Sequence, residues 1–371
     1  MPINISSRED DQRRFFMKKT GMIAFAMAAV MGLSVSAFAA EETTGAKADT
    51  QTEAQEDGKE AKSEHLVAEE FKDIVTNDEG LYVAGLEYLA AALFADEPEK
   101  ISIDGPDDKK VDLYIYRPQG YTDETLPVIY YSHGGGYQTG DAQMYTYEFQ
   151  EMANNNNAAV VSVEYTLTTD PSYRYFIEIE QAYTGLKYVY EHGEELNIDP
   201  ENIVIMGESA GGGLTARMAL YNKDKGDKIP VKGEVLIYPM LDYRTGGKDD
   251  IYNNEYAGDY IWSKEENVAG WADLKHGEDI PEDEMIYFSP ALATPEQLAG
   301  LPDTFIIVGS LDLFVNEDLA YASNLTIAGV LAEAYLEPGV PHSYNVVGHD
   351  TPQGKRFVAL RDNAVQRMFS K

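Results

Sequence analysis

The stretch Asn202–Leu214 reads NIVIMGESAGGGL, and its interpretation decides the fold. Ile203–Met206 is an apolar run that suits a short buried parallel strand. It leads into Gly207-Glu208-Ser209-Ala210-Gly211, a G-x-S-x-G pattern, and then into a helical pattern through Ala216, Met218 and Leu220. Strand, tight turn and helix is the context in which this pattern presents a nucleophilic serine. The flanking glycines let the strand and helix ends approach, and so sharp a turn holds the serine in a strained conformation. The serine also falls at a helix N-terminus, where free N–H groups favour an oxyanion. Taken alone, the same residues read equally well as a plain Gly-rich turn, so the rest of the chain has to decide.

Working outward, strands alternate with helical patterns. Lys100–Asp104 and Val111–Arg117 alternate in polarity, residues 127–132 (PVIYYS) and Ala158–Val163 are continuously apolar, and Glu234–Tyr238, Thr304–Val308 and Glu333–Leu336 follow the central stretch. Between them lie helical patterns at Met144–Met152, closed by the Asn154–Asn157 run, at Ile179–Tyr190, and finally at Arg356–Phe369. This alternation predicts an α/β fold with a mostly parallel central sheet covered by helices on both faces. Two helical patterns precede the first strand, one through Leu66, Val67, Phe71 and Ile74, the other through Leu81, Leu86, Leu89 and Leu93. Residues 242–287 are the departure, with weak periodicity, both tryptophans (Trp262 and Trp271) and many carboxylates. A long irregular stretch of this kind inside a compact domain is read as a lid or pocket wall.

Composition narrows the function. There is no cysteine, which excludes disulfides, a thiolate nucleophile and a Cys-ligated metal. A net charge of −35 argues against nucleic acid as partner, since phosphate contacts need Lys and Arg, and disfavours anionic substrates. Residues 1–40 are expected to be an export signal. Arg13-Arg14-Phe15-Phe16-Met17-Lys18 resembles a twin-arginine motif, an uncharged run follows from Thr20, and Ala37-Phe38-Ala39 suits cleavage. Initiation at Met17 would leave an ordinary secretory signal, and an uncleaved segment would be a membrane anchor. Residues 41–64 contain no Ile, Leu, Val, Met or aromatic residue and carry eight acidic side chains, so a disordered acidic linker is expected. The folded body is then 65–371, with cap elements at about 65–95 and 242–287.

Four expected strand ends carry reactive or oxyanion-binding groups: His133-Gly134-Gly135-Gly136, Ser209, Asp312 in VGSLDLF, and His342 in EPGVPHSY. Carboxyl ends of parallel strands share one sheet edge, where such folds bind ligands. The order Ser, Asp, His together with an HGGG loop resembles the α/β-hydrolase fold, and within it the hormone-sensitive-lipase-like group of bacterial esterases. Tyr137, Gly140-Asp141, Asn197-Ile198-Asp199-Pro200, Tyr238-Pro239, Ser289-Pro290 and Pro338–His342 fall in the order of that group. The chain departs from it at Glu208, where Asp is usual, at Tyr165–Asp170 (YTLTTD), which lacks an Arg, and at Asn316, near the position of a second acid.

The resemblance implies a serine carboxylesterase acting on small neutral esters, short-chain or acetyl, with no cofactor and no metal. Ser209 would be the nucleophile, His342 the base and Asp312 its orienting acid. Backbone N–H groups of Gly134, Gly135, Gly136 and Ala210 would form the oxyanion hole, with His133 supporting the loop. His349 is the rival base, and His65, His192 and His276 read as surface residues. Tyr130, Tyr131, Tyr137, Tyr145 and Tyr147 are candidates to line a pocket for an aromatic or sugar alcohol. A peptidase and a non-catalytic ligand-binding relative remain the other readings, and the oligomeric state is open.

Overall fold

The computed structural model describes residues 61–76, 80, 81, 83–85, 88, 97–226 and 228–371. The expected export signal, most of the acidic linker and most of the helix expected through Leu81–Leu93 lie outside the described residues. Eight strands form one sheet: β1 (Glu99–Asp104), β2 (Lys110–Tyr116), β3 (Leu126–Ser132), β4 (Ala159–Val163), β5 (Ile198–Glu208), β6 (Gly233–Ile237), β7 (Asp303–Gly309) and β8 (Ala332–Glu337). Their order is β1-β2-β4-β3-β5-β6-β7-β8. β1 and β2 pair antiparallel, and β2 meets β4 antiparallel, while β3 to β8 are parallel. The chain leaves β3 toward one side of the sheet and returns at β5 to build the other, so the ends of β3 and β5 flank the topological switch point.

Helices α1 (Glu69–Val75), α2 (Thr146–Asn156), α3 (Ile177–Glu191), α4 (Ala210–Asp224), α5 (Lys264–Lys275), α6 (Val315–Ile327) and α7 (Pro352–Phe369) complete the frame, with shorter turns between them. The period-2 alternation of the strands divides the interior into two cores. Tyr130, Ile205, Leu236 and Ile306 point to the face where Leu186 and Val189 of α3 and Leu214 of α4 pack. Tyr131, Val204, Met206, Val235 and Ile307 point to the opposite face, against Phe149 and Met152 of α2 and Phe357 and Val365 of α7. β4 and β6 are buried at every position, which is why they read as mostly apolar runs, broken only by Ser162 and Glu234. α2 stops where the Asn run suggested, with Asn157 in the left-handed conformation at φ 46°.

One strand start and one long stretch depart most from the sequence-based expectation. β5 begins at Ile198, not Ile203, because Leu126 pairs with Ile198 before a register shift brings Val128 opposite Ile203. Residues 242–287 are also less irregular than expected. They contain α5, started by a capping box in which the Ser263 and Glu266 side chains satisfy each other's backbone N–H groups. Weak amphipathic patterning concealed this helix, since Trp271, Gly270, Asn267 and Leu274 are buried while acidic residues crowd the remaining positions.

The N-terminal segment reaches both the insertion and the His342 loop. The Ser63 N–H and hydroxyl donate to Asp259 Oδ2 at 3.0 and 2.7 Å, and Lys62 pairs with Glu255 at 2.8 Å. The Ala68 N–H donates to the Gly339 carbonyl at 2.8 Å. Phe71, wholly buried, packs edge-on to Tyr344 with ring centroids 6.4 Å apart.

Candidate active site

The turn between β5 and α4 places Ser209 at φ 55°, ψ −123°, outside the ordinary basins for an L-residue. Backbone contacts from three directions hold it there: its N–H donates to the Ile237 carbonyl at 2.9 Å, and its carbonyl accepts from Gly213 and Met240, each at 3.0 Å. The glycines on either side are required by contact. A Cβ at Gly207 would stand 2.2 Å from the Gly211 carbonyl oxygen, and one at Gly211 would stand 2.1 Å from that of Ser132 and 2.3 Å from that of His133. The tightness of the serine turn therefore depends on the absence of a side chain at Gly207, and its close packing on the end of β3 on the absence of one at Gly211.

Ser209 Oγ lies 2.9 Å from His342 Nε2, and His342 Nδ1 lies 2.7 Å from Asp312 Oδ2. These residues are 133 and 30 positions apart in sequence and come from the ends of β5, β8 and β7. Asp312 is fully buried, and its second oxygen accepts the Phe314 N–H at 2.9 Å, so both its orientation and its partner are fixed. Such an arrangement lets an imidazole take the hydroxyl proton as the oxygen attacks a carbonyl, while the carboxylate steadies the imidazolium that results.

The loop after β3 lies beside this line. Gly135 and Gly136 have φ of 107° and 61°, conformations that L-residues rarely adopt, and a Cβ at Gly135 would meet the Thr139 carbonyl oxygen at 2.2 Å. Among the described residues, the N–H groups of Gly135, Gly136 and Ala210 have no acceptor. His133 is buried in the base of the loop. Its Nδ1 contacts the Gly134 carbonyl at 2.9 Å and its ring stacks on Tyr165 at 4.2 Å. Desolvation pushes the His133 imidazole down to about 4, so it is neutral at physiological pH. The Tyr165–Asp170 departure proves to be a substitute tether. Thr168 donates through its N–H and hydroxyl to the Tyr137 carbonyl at 2.8 and 3.1 Å, and the Thr169 hydroxyl donates to the Gln138 carbonyl at 2.9 Å.

Beneath the serine lies a buried polar layer that sequence reading did not assemble. Glu208 accepts from the Tyr131 hydroxyl at 3.2 Å and lies 3.4 Å from the Tyr238 hydroxyl. Burial, with the nearby Glu148 carboxylate, pushes its carboxyl up to about 8. The side chain one methylene longer than Asp lets the carboxyl meet these phenols. Tyr238 donates to Asn345 Oδ1 at 2.6 Å, and Asn345 donates to Glu148 at 3.3 Å. Glu317, wholly buried, accepts from the Leu241 and Asp242 N–H groups at 2.7 and 3.1 Å, joining α6 to the start of the insertion. Asn316 Oδ1 accepts from Asn254 in the same insertion at 2.8 Å.

Three aromatic rings surround His342: Tyr238 at 4.6 Å, Phe314 at 5.3 Å and Trp262 at 6.4 Å between ring centroids. None was legible as a neighbour of the histidine, although the placement of Trp262 in the irregular stretch was a signal. The tyrosines proposed as pocket lining are placed differently. Tyr130, Tyr131, Tyr137 and Tyr145 are buried, and Tyr130 donates to the Ala182 carbonyl at 2.7 Å inside the core. Tyr147 lies on the outer side of α2, 36% exposed. For Tyr130 and Tyr131 alternation decides the outcome, since residues within β3 must point into one core or the other. His349 contacts the Val346 carbonyl and Asp350, each at 3.3 Å, and makes no bond to Ser209.

The alpha/beta hydrolase fold family model matches residues 129–346. The chain is 32% identical over 252 residues to carboxylesterase NlhH of Mycobacterium tuberculosis, covering 67% of this chain and 75% of that protein. It is 27% identical over 264 residues to a protein described as a putative alpha/beta hydrolase of Acanthamoeba polyphaga mimivirus, covering 70% and 73%. Among solved structures, a bacterial heroin esterase superposes with a TM-score of 0.69 at 29% identity, covering 78% of this chain and 91% of that one. An esterase of Pyrobaculum calidifontis superposes with a TM-score of 0.66 at 30% identity over the same shares. With the sheet order, the G-x-S-x-G turn and these relatives in agreement, the chain belongs to the α/β-hydrolase superfamily, in its hormone-sensitive-lipase-like esterase group, and is a carboxylic ester hydrolase.

Proposed function

We propose that the protein is a serine carboxylesterase that hydrolyses small neutral esters, short-chain or acetyl, through an acyl-enzyme on Ser209. The observation that carries this reading is the unbroken hydrogen-bonded line from Asp312 through His342 to Ser209. His342 Nε2 takes the Ser209 proton as Oγ attacks the ester carbonyl, and the oxyanion accepts from the N–H groups of Gly135, Gly136 and Ala210, with Gly134 shaping the approach. Each such donor is worth roughly 3–4 kcal/mol in the transition state. The imidazolium then gives its proton to the leaving alcohol, and water attacks the acyl-enzyme with His342 acting as base again. Asp312 holds the imidazole in the tautomer whose Nε2 is free to accept. His133, neutral and stacked on Tyr165, keeps the glycine loop in shape.

Small esters are favoured because the reacting groups lie under cover: Ser209 is 6% and His342 3% exposed. We assign that cover to the described part of the expected cap elements, residues 65–76 and 242–287. Neutral substrates are favoured by a net charge of −35, which repels anions from the mouth. We infer from the signal-like sequence of residues 1–40 that the protein is exported and acts outside the cytoplasm; cell fractionation tests this.

Incubation of the mature protein with p-nitrophenyl acetate, butyrate and decanoate tests the activity. Turnover of the short esters should fall by at least ~10⁴-fold in Ser209→Ala. Undiminished turnover in that variant would sink the proposal. A fluorophosphonate probe should label wild type and not Ser209→Ala, whereas a non-catalytic relative would label in neither form.

A further inference from the structure

His342 is enclosed on two sides by rings that no solvent reaches, since Tyr238 and Phe314 are wholly buried. Its third aromatic neighbour differs. Trp262 is half-buried, and its indole lies at 36° to the imidazole. The six-membered ring also packs directly on the oxyanion loop: a Cβ at Gly136 would stand 2.5 Å from Trp262 Cη2 and within 3.3 Å of Cζ3 and Cζ2. One ring therefore spans the distance between the proposed oxyanion donor and the proposed base.

The indole is held in place. Trp262 Nε1 donates to Asn267 Oδ1 at 3.3 Å, and Asn267 Nδ2 donates in turn to the Thr245 carbonyl at 2.8 Å. Ser263, the next residue, caps α5, and Gly270 of that helix backs the ring, where a Cβ would lie 3.8 Å from Cζ2. Ile261 before it has φ 66°, so the chain bends sharply to present the indole. A side chain this well supported is a preorganised surface.

The chemistry of the leaving step says what passes beneath it. His342 Nε2 must reach the leaving oxygen to protonate it, while the carbonyl oxygen stays with the Gly135 and Gly136 N–H groups. The leaving oxygen then sits between His342 and Gly136, the two groups that Trp262 flanks. We infer that Trp262 is a specificity-determining residue that stacks on the alcohol portion of the substrate, selecting acyl esters whose alcohol carries a flat ring, aromatic or sugar. The inference rests on the proposed roles of Ser209, His342 and the glycine loop. It replaces the core tyrosines with an indole from the insertion as the surface that recognises such an alcohol.

The test compares four esters in wild type, Trp262→Ala, Trp262→Leu and Trp262→Phe: benzyl acetate, an acetylated methyl glucoside, n-hexyl acetate and ethyl hexanoate. Circular dichroism melting checks that each variant folds, and Leu keeps the bulk while removing the flat face, so it reports even where Ala loosens the insertion. For the preferred ring ester, KM should rise roughly five- to tenfold in Trp262→Leu and recover in Trp262→Phe, with kcat changed less than about threefold. n-Hexyl acetate and ethyl hexanoate should move by less than about twofold. The ring ester that shows the split, benzyl or glucosyl, identifies the source of the alcohol. Equal changes for ring and hexyl acetates, or a change confined to ethyl hexanoate, would overturn the inference while leaving the esterase reading intact. Absence of Ser209-dependent turnover for all four esters would instead remove the reading on which it rests.

Discussion

Tyr238 packs its ring against the imidazole of His342, with centroids 4.6 Å apart, while its hydroxyl donates to Asn345 Oδ1 at 2.6 Å. The same side chain thus touches the proposed base and anchors to the buried layer beneath the serine. Its backbone has φ 33°, a conformation enforced by the N–H bond from Tyr238 to the Ile307 carbonyl at 2.7 Å. We expect Tyr238→Phe, which keeps the ring, to cost about 1 kcal/mol of stability and leave kcat within a few-fold. Tyr238→Ala should lower kcat at least tenfold, because the imidazole loses the wall that positions it. Steady-state kinetics with p-nitrophenyl butyrate separate the two; equal losses in both variants would contradict a positioning role for the ring.

Asp312→Asn tests the buried carboxylate. The amide can donate to His342 Nδ1 and favour the tautomer that leaves Nε2 protonated, unable to accept from Ser209. A loss of roughly 10⁴-fold in kcat with little change in melting temperature is expected. A loss under tenfold would show that Asp312 does not set the tautomer.

Gly211 is a packing prediction. A Cβ there collides with two backbone carbonyls, at 2.1 and 2.3 Å, which cannot rotate away as a side chain could. Gly211→Ala should cost ~3 kcal/mol or more and displace the loop after β3, lowering both denaturant midpoint and kcat. Gly226, whose Cβ would meet nothing within 4 Å, is the matched control, with Gly226→Ala expected within about 0.5 kcal/mol of wild type.

Buried carboxyls set the pH dependence of stability. Glu234 is wholly buried in β6, accepts only the Thr304 hydroxyl at 2.8 Å, and is pushed by desolvation up to about 8. Its folded form binds a proton more tightly than the unfolded chain does, so the stability it contributes is fully present below about 4.5, the ordinary carboxyl value. That contribution is lost as pH rises through about 8. Glu208, also at about 8, and Glu164, at about 7, act in the same direction. Melting temperature should therefore fall between pH 5 and 8.5, and fall less in Glu234→Gln. Parallel melting curves for the two proteins across that window would refute the assignment.

Much of this architecture was legible because strand and helix periods are local properties. The eight strands among the described residues appear where alternating or apolar stretches suggested them, and the four strand-end groups meet at one edge because parallel strands share their carboxyl ends. The extension of β5 to Ile198 was not legible, since it depends on Leu126 pairing across a register shift. α5 was missed although its Ser263–Glu266 cap was written in the sequence, because its buried face is short and mostly not aliphatic. Tyr130 and Tyr131 fall inside the two cores because closeness in sequence to the glycine loop says nothing about which face of β3 a side chain occupies.

The sequence by itself determined the fold class, the esterase group and which serine, aspartate and histidine stand at strand ends, because backbone periodicity and turn sterics are encoded within a few residues. Only the tertiary structure decided what surrounds them. Seating Trp262 on Gly136, Tyr238 against His342 and Glu208 among buried phenols requires segments separated by tens to hundreds of residues to close on one another. Those contacts follow from how the two cores and the insertion pack, a property of the folded chain that no local pattern carries.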